Sequence, residues 1–475
     1  MRQYLQFYID GQWVDPVDPQ TVNVVNPATE QVSGRIALGS KADVDRAVAA
    51  ARKAFNSWSQ STREERLALL NRILGEYQKR APDLAAAITE EMGAPRGLAN
   101  GFQVGLGTGH LTTAIEVLKK FKFEEQRGAT LIAKEPIGVC GLISPWNWPI
   151  NQVTVKVFPA LATGCTMVLK PSQESHFSAH VFAEILHAAG VPPGVFNLIQ
   201  GKGSVVGAAM SSHPGIDLIS FTGSEPAGVD IARSAAVTVK RVCQELGGKS
   251  ANIILDDADF ATNVGKGVGG MMVNSGQTCS ATSRMLVPKA RMEEAMRVAR
   301  EVASKVTVGD PQGDFAMGPV VSKAQFISIQ GYIQKGIDEG ATLVAGGLGR
   351  PQGLDKGFYV KPTVFANVTN TMTIAREEIF GPVLAILGYD NVEHAIEIAN
   401  DTEFGLAGNV AGADLGKARA VARRIRAGWV SINDGFDFNA AFGGYKKSGN
   451  GREWGEFGFQ EYLEIKSILG FAPAG

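Results

Sequence analysis

Two early stretches place apolar residues at three-to-four spacing. From Ser40, the text SKADVDRAVAAARKAFNSW puts Val44, Ala47, Val48, Ala51 and Phe55 on one helical face, and Ser40 can cap with Asp43 three residues later. From Ser61, Leu67, Leu70, Ile73, Leu74 and Tyr77 repeat above an outer face rich in Glu and Arg, the pattern of an amphipathic helix. Between about Gly138 and Leu246 the pattern becomes short apolar runs separated by helix-length segments: GVCGLIS, TMVLK, VFNLIQ, IDLISFT and VKRVCQEL. That alternation predicts a mostly parallel sheet buried on both faces. Such sheets bind ligands beyond the carboxyl ends of their strands. Ser144 to Pro149, Lys170 to Gln173, Phe221 to Ser224 and Glu245 to Lys249 fall at those ends.

A second alternating segment starts at ANIIL, continues through SRMLVP and a helix from Arg291, and reaches about Ser431, which predicts a second α/β domain. Two further pieces, Ala129 to Lys134 and the C-terminal YLEIKSIL, read as strands that belong to neither sheet. Exposed strands are a hazard unless paired with each other or with another subunit, so the chain is expected to form an oligomer.

Composition narrows the function classes. The 475 residues allow two or three domains, and 46 Lys+Arg against 47 Asp+Glu leave a net charge of -1. A nucleic-acid partner engaged through a basic surface is therefore not expected. No run of about 18 apolar residues suggests a membrane span, and the N-terminal text has no secretory leader pattern, so the expected location is cytoplasmic. Cys140, Cys165, Cys243 and Cys279 form no CxxC pair and no metal-ligand spacing, so neither a disulfide scaffold nor a metal is expected.

Three local features could carry chemistry. In VNSGQTCSATSR, Cys279 follows Gly276 and Gln277 among polar neighbours, a setting for a reactive thiolate, although a random cysteine is more often an inert buried thiol. In QELGGKSANIIL, Glu245 ends a strand before two glycines that permit close approach; it reads either as a general base or as a surface partner of Lys249. In ISPWNWPIN, Asn147 stands between Trp and Pro residues, and its amide can stabilise an oxyanion or simply satisfy a turn. The Gly-rich turn FTGSEPAGVDIA could receive phosphate at a helix N-terminus but lacks GxGxxG spacing, and Lys170 at a strand end could face a nucleotide or solvent.

Taken together and in order, these motifs resemble the aldehyde dehydrogenase superfamily. The match runs through PATEQV, PWNWP, VLKPS, GVFNLIQG, FTGS, ELGGKS, GQTC, GPVVS, EEIFGPV, GWVSIN, FGGYKKSG and GREWG, which is essentially the whole chain. The resemblance implies an α/β fold with a Rossmann-type cofactor domain, a second α/β catalytic domain and a small β oligomerisation piece. It places residues 1–117 and 137–246 in the first, 247–447 in the second, and 118–136 with 448–475 in the third. It implies an enzyme that oxidises an aldehyde to the acid, as a homodimer or homotetramer.

The roles carried over are specific. Cys279 is the nucleophile, Glu245 the base that activates water, and Asn147 with the Cys279 amide the oxyanion hole; Glu453 of GREWG is a proton relay. NAD is expected on Trp146, Lys170, Ser172, Gln173, Gly223, Ser224, Glu378 and Phe380, with Lys156 nearby. Trp148, Val155, Phe436 and Phe442 are expected to line the substrate pocket, and the small Val155 predicts room for bulky or aromatic aldehydes or semialdehydes. Arg241, Arg452 and Glu464 match a charged network. Two departures stand out. Gln173 replaces a usual glutamate, which weakens the discrimination against NADP, and Glu225-Pro226 replaces Thr-Glu in the phosphate turn. The rivals are a CoA-acylating relative, which Glu245 opposes, a cysteine-dependent esterase or amidase, which leaves Lys170 and Glu378 without purpose, and a noncatalytic protein of the same fold.

Overall fold

A computed structural model describes residues 1–257 and 259–472. The first amphipathic stretch is the helix Lys41–Trp58, and Ser40 and Asp43 form the reciprocal capping box that their spacing predicts. Its Val44, Ala47, Val48 and Ala51 are buried. The second helix, Arg63–Met92, is capped by Thr62 rather than Ser61, because Glu65 closes a capping box with Thr62 while the Ser61 hydroxyl donates to the Trp58 carbonyl at 2.5 Å.

The first sheet has eight strands in the order Gly449–Asn450, Arg241–Glu245, Leu218–Thr222, Val139–Ile143, Thr166–Lys170, Phe196–Leu198, Phe7–Ile9 and Gln12–Val14. The five strands from Arg241–Glu245 to Phe196–Leu198 are parallel. Chain order reverses between Val139–Ile143 and Leu218–Thr222. A crevice opens where connections leave in opposite directions, so the loops after Ile143 and Thr222 are where this sheet can take a ligand.

The second sheet has seven strands in the order Thr342–Ala345, Thr363–Ala366, Val383–Tyr389, Arg284–Pro288, Ala251–Ile254, Ala407–Ala411 and Trp429–Ile432, antiparallel only at its first pair. Separate apolar clusters pack the two sheets. The two unassigned strands pair with each other: Leu463–Ile468 runs antiparallel to Thr130–Pro136 in a three-stranded sheet with Glu124–Arg127.

One boundary needs correction. The resemblance puts residues 448–475 wholly in the oligomerisation piece, but Gly449 and Asn450 pair with Glu245 and Gln244 at the edge of the first sheet. The backbone of Glu453 then bridges Phe442. The chain returns to the strand end that carries Glu245 before it leaves for the small sheet. Among the described residues, no helix is long and apolar enough to cross a membrane and no cluster of side chains could hold a metal.

Candidate active site

Cys279 stands on a loop that the backbone builds with difficulty. The helix Phe260–Met272 gives way to Asn274 and Ser275 at φ of 54° and 55°, followed by Gly276 at φ 71°. Left-handed conformations cost free energy in residues other than glycine and persist where surrounding contacts hold them. Here the contacts are hydrogen bonds. Asn274 Nδ2 donates to the carbonyls of Asn147 and Gln277 at 2.8 and 3.2 Å, and Gln103 Nε2 donates to Asn274 Oδ1 at 3.1 Å. Asn147 Nδ2 donates to the Gln277 carbonyl at 3.1 Å, and Trp148 Nε1 to Thr278 Oγ1 at 3.0 Å. The PWNWP loop of the first sheet is thereby fastened to the loop that presents the thiol.

Cys279 is half-buried, whereas Cys140, Cys165 and Cys243 are buried; all four are free. Burial pushes the Cys279 thiol up to about 12, with the nearby carboxylates of Glu378 and Glu245 acting the same way. A thiol held this strongly protonated needs a proton acceptor before it can attack.

Glu245 ends the strand Arg241–Glu245 and is 4% exposed. Neither carboxylate oxygen has a hydrogen-bond partner among the described residues, so the expected alternative, a pair with Lys249, is absent. Burial raises its proton affinity well above the ordinary carboxylate range, and the neighbouring Glu453 adds to the rise while Lys156 and Arg452 oppose it. Such a carboxyl group is a stronger base than a solvated one and is free to turn toward a substrate or water.

The two glycines after Leu246 explain the ELGGKS text. A Cβ on Gly247 would strike the Glu378 carboxylate, and one on Gly248 would come within 2.6 Å of the Cys279 carbonyl. Glu378 Oε1 accepts from the Gly248 amide at 3.0 Å, and burial raises this carboxyl group to about 7. Only residues without a side chain let the two sheets bring Glu378 and Cys279 together here.

A cavity of about 250 Å³ opens between the sheets, lined by Trp146, Asn147, Thr222, Gly223, Ser224, Gly247, Cys279, Glu378 and Phe380, among others. Its lining suits a dinucleotide. Ser224 stands at the N-cap of the helix Glu225–Ala236 without a side-chain bond to it, the first-turn amides of Glu225 and Ala227 are orphan donors while Pro226 has none, and the buried hydroxyl of Thr222 has no partner among the described residues. Phe380, at φ 55°, meets Trp146 edge to face at 5.3 Å. Glu225, which replaces a threonine in the phosphate turn, reaches Lys447 at 3.3 Å.

Other expected residues fall elsewhere. Lys170 is 4% exposed, burial lowers its ammonium to about 8, and it donates to the Pro171 carbonyl at 3.0 Å. Ser172 and Gln173 lie half-buried on the following loop, outside the lining of the main cavity. Lys156, expected beside the cofactor, is instead fully buried with its Nζ 2.5 Å from Glu453 Oε1 and 3.1 Å from Ser220 Oγ. A buried cation requires such a partner, and Glu453 is held by it. Of the charged network, Arg241 reaches Glu464 at 2.9 Å, but the Arg452 guanidinium binds the carbonyls of Gly444 and Gly451 instead.

Of the residues expected at the substrate pocket, Val155, Phe436 and Phe442 come together around Trp429 and Trp454. Val155, Leu406, Ala407, Phe442 and Trp454 form one buried cluster against which Cys279 and Trp429 pack. Phe436 is half-exposed and meets Trp429 and Phe438 edge to face. Trp148 meets Phe102 at 5.5 Å. Sequence reasoning missed His110, Trp429, Phe438 and Trp454. Trp454 adjoins Glu453 in GREWG and could have been singled out there, whereas a lone histidine on an apolar helix gives no signal.

Comparison with known proteins places the chain in a family. The sequence profile of the Aldehyde dehydrogenase family matches residues 13–468. The chain is 52% identical over 474 residues to a 3-succinoylsemialdehyde-pyridine dehydrogenase of Pseudomonas sp, covering 99% of both proteins. It is similar to the crystal structure of a mutant of aldehyde dehydrogenase C from Pseudomonas syringae in complex with NAD+ and octanal. The identity is 54%, the TM-score 0.98 and the coverage 99% of this chain and 97% of that one. It is also similar to a Mycobacterium tuberculosis aldehyde dehydrogenase complexed with NAD+, at 40% identity and a TM-score of 0.96 over 100% and 99% of the two chains. The chain belongs to the aldehyde dehydrogenase family.

Proposed function

We propose that this chain oxidises an aldehyde to the carboxylic acid with NAD, through a covalent intermediate on Cys279. The observation that carries the reading is the meeting, across two sheets, of a half-buried thiol, an amide donor and an unpartnered buried carboxyl group. The thiol gives its proton to solvent water as the sulfur attacks the carbonyl carbon, which leaves the Glu245 carboxylate for the hydrolytic step. The oxyanion of the resulting thiohemiacetal is held by Asn147 Nδ2 and the Cys279 amide, a reading supported by the bond that brings the Asn147 side chain to the loop of Cys279. NAD held in the cavity would supply a hydride acceptor, and loss of the aldehyde hydrogen with its electron pair turns the thiohemiacetal on Cys279 into a thioester. Glu245 then takes a proton from water, the hydroxide displaces the Cys279 sulfur from the thioester, and the acid leaves.

Trp146, Gly223, Ser224, Glu378 and Phe380 would hold the cofactor in the cavity they line, with Lys170, Ser172 and Gln173 toward its adenosine end. Neutral Gln173 admits NADP more readily than a glutamate would. Lys156 acts through Glu453, whose charge raises the proton affinity of Glu245. Trp148, Val155, Phe436 and Phe442 suit a bulky or aromatic aldehyde, or a semialdehyde. The relative that is 52% identical is named for a semialdehyde bearing a pyridine, and the Pseudomonas syringae structure holds octanal.

Four free thiols fit a reducing cytoplasm. The strand Leu463–Ile468, with Ile465 71% exposed, lies at the edge of its sheet and fits a homodimer or homotetramer, which mass measurement in solution tests. The activity is tested by following nicotinamide reduction with alkyl, aryl and semialdehyde substrates, NAD and NADP side by side, and identifying the acid. Reduction without acid formation overturns the reading.

A further inference from the structure

Trp454 joins the reacting cysteine to an aromatic wall. Its φ of 71° lies in the left-handed region, where a tryptophan is strained, and the neighbouring Gly455 has φ 52°. The strain is held by contacts on both sides. The preceding residue, Glu453, bonds Lys156 and bridges Phe442 through its backbone. The indole stacks on Phe442 at 5.0 Å and 15°, and meets Trp429 at 5.5 Å, Phe436 at 5.6 Å and Phe438 at 6.1 Å. Cys279 packs against the same cluster.

Behind the indole lies His110, 5.0 Å away and edge-on. Its Nε2 is 2.7 Å from Asn151 Oδ1, and its ring meets Phe438 at 5.2 Å. Burial lowers this imidazole to about 4, so it is neutral near pH 7. A cavity of about 20 Å³ between His110, Val155 and Trp454 is lined, among the described residues, by no Lys, Arg, Asp or Glu side chain. That void is water-sized and closed to a substrate, but a carboxylate laid on the ring faces in front of it would lose its water against Trp429, Phe436, Phe442 and Trp454, over none of which an Arg or Lys stacks among the described residues.

Resting on the reading of the site as an aldehyde-oxidising one, we infer that Trp454, braced by His110, is its specificity-determining residue. It selects aldehydes whose far end is uncharged and apolar over short aldehydes and over those ending in a carboxylate, which narrows the semialdehydes of the proposed function to those whose far end is uncharged. Tail methylenes laid on these rings leave water, which favours each added methylene by about fourfold in kcat/KM.

The test compares kcat/KM for hexanal with propanal, and for butanal with succinate semialdehyde, in the wild-type protein and in Trp454→Ala. The wild type is expected to favour hexanal by about fiftyfold over propanal, and butanal by about a hundredfold over succinate semialdehyde. In Trp454→Ala the hexanal-to-propanal ratio is expected to fall about tenfold, through the KM for hexanal. Equal losses on both substrates in a variant that melts cooperatively overturn the assignment. Equal use of butanal and succinate semialdehyde by the wild type also overturns it, and needs no variant. Reduction of NAD with none of these aldehydes would instead overturn the oxidation reading beneath it.

Discussion

The side-chain amide of Asn147 donates across 3.1 Å to the main-chain carbonyl of Gln277, two residues before Cys279. The bond crosses from the first sheet to the second, so the proposed oxyanion donor and the proposed nucleophile share one hydrogen-bonded unit. Replacing Asn147 by Ala removes both a donor and the tie. A single lost oxyanion donor costs about a hundredfold or more in kcat. Steady-state kinetics of Asn147→Ala should show that loss with little change in the KM for NAD; an unchanged kcat would remove Asn147 from the reaction.

The glycine pair offers a split between cofactor and nucleophile. A methyl group on Gly247 pushes on the Glu378 carboxylate, whereas one on Gly248 meets the Cys279 carbonyl at 2.6 Å, a backbone atom that cannot swing aside. Gly247→Ala is therefore expected to raise the KM for NAD, and Gly248→Ala to depress kcat. Identical kinetic effects from both would contradict this division.

Cofactor affinity should depend on pH through Glu378. Burial raises its carboxyl group to about 7, so the ionised form, which accepts hydrogen bonds at both oxygens, is fully present only above neutrality. As pH falls below about 7, protonation should weaken NAD by up to about tenfold per unit. Fluorescence titration of NAD at pH 6 and 8 checks this, and Glu378→Gln should bind more weakly with the slope between those values flattened.

Lys156→Met leaves Glu453 without its buried cation. Removing one member of a buried pair costs about 3 kcal/mol or more, because the survivor remains desolvated. Denaturant unfolding should show that loss. The double variant Lys156→Met with Glu453→Leu should recover part of it, and a single variant as stable as the wild type would contradict the buried pair.

The parts of this architecture legible in the sequence are those written in local spacing. Ser40 and Asp43 announce a helix start, short apolar runs announce the parallel strands, and motif residues stand at strand ends because that is where such sheets bind ligands. Cys279 and Glu245 were legible because each sits beside glycines and polar residues out of keeping with a core. What was hidden depends on contacts distant in sequence. Lys156 finds Glu453 297 residues away, and no local pattern distinguishes it from a cofactor-facing lysine. Gly449 and Asn450 look like loop until they close the first sheet beside Glu245, and His110 and Trp454 acquire meaning only when the fold stacks one against the other.

The division of labour between Cys279 and Glu245 is tested most directly by a rapid-mixing experiment on Glu245→Gln with hexanal and NAD, followed by intact-protein mass measurement. The account predicts one equivalent of NADH per active site, then a stall, with the protein heavier by one acyl group on Cys279. Continued turnover at the wild-type rate, or an acyl group on any other residue, would contradict it.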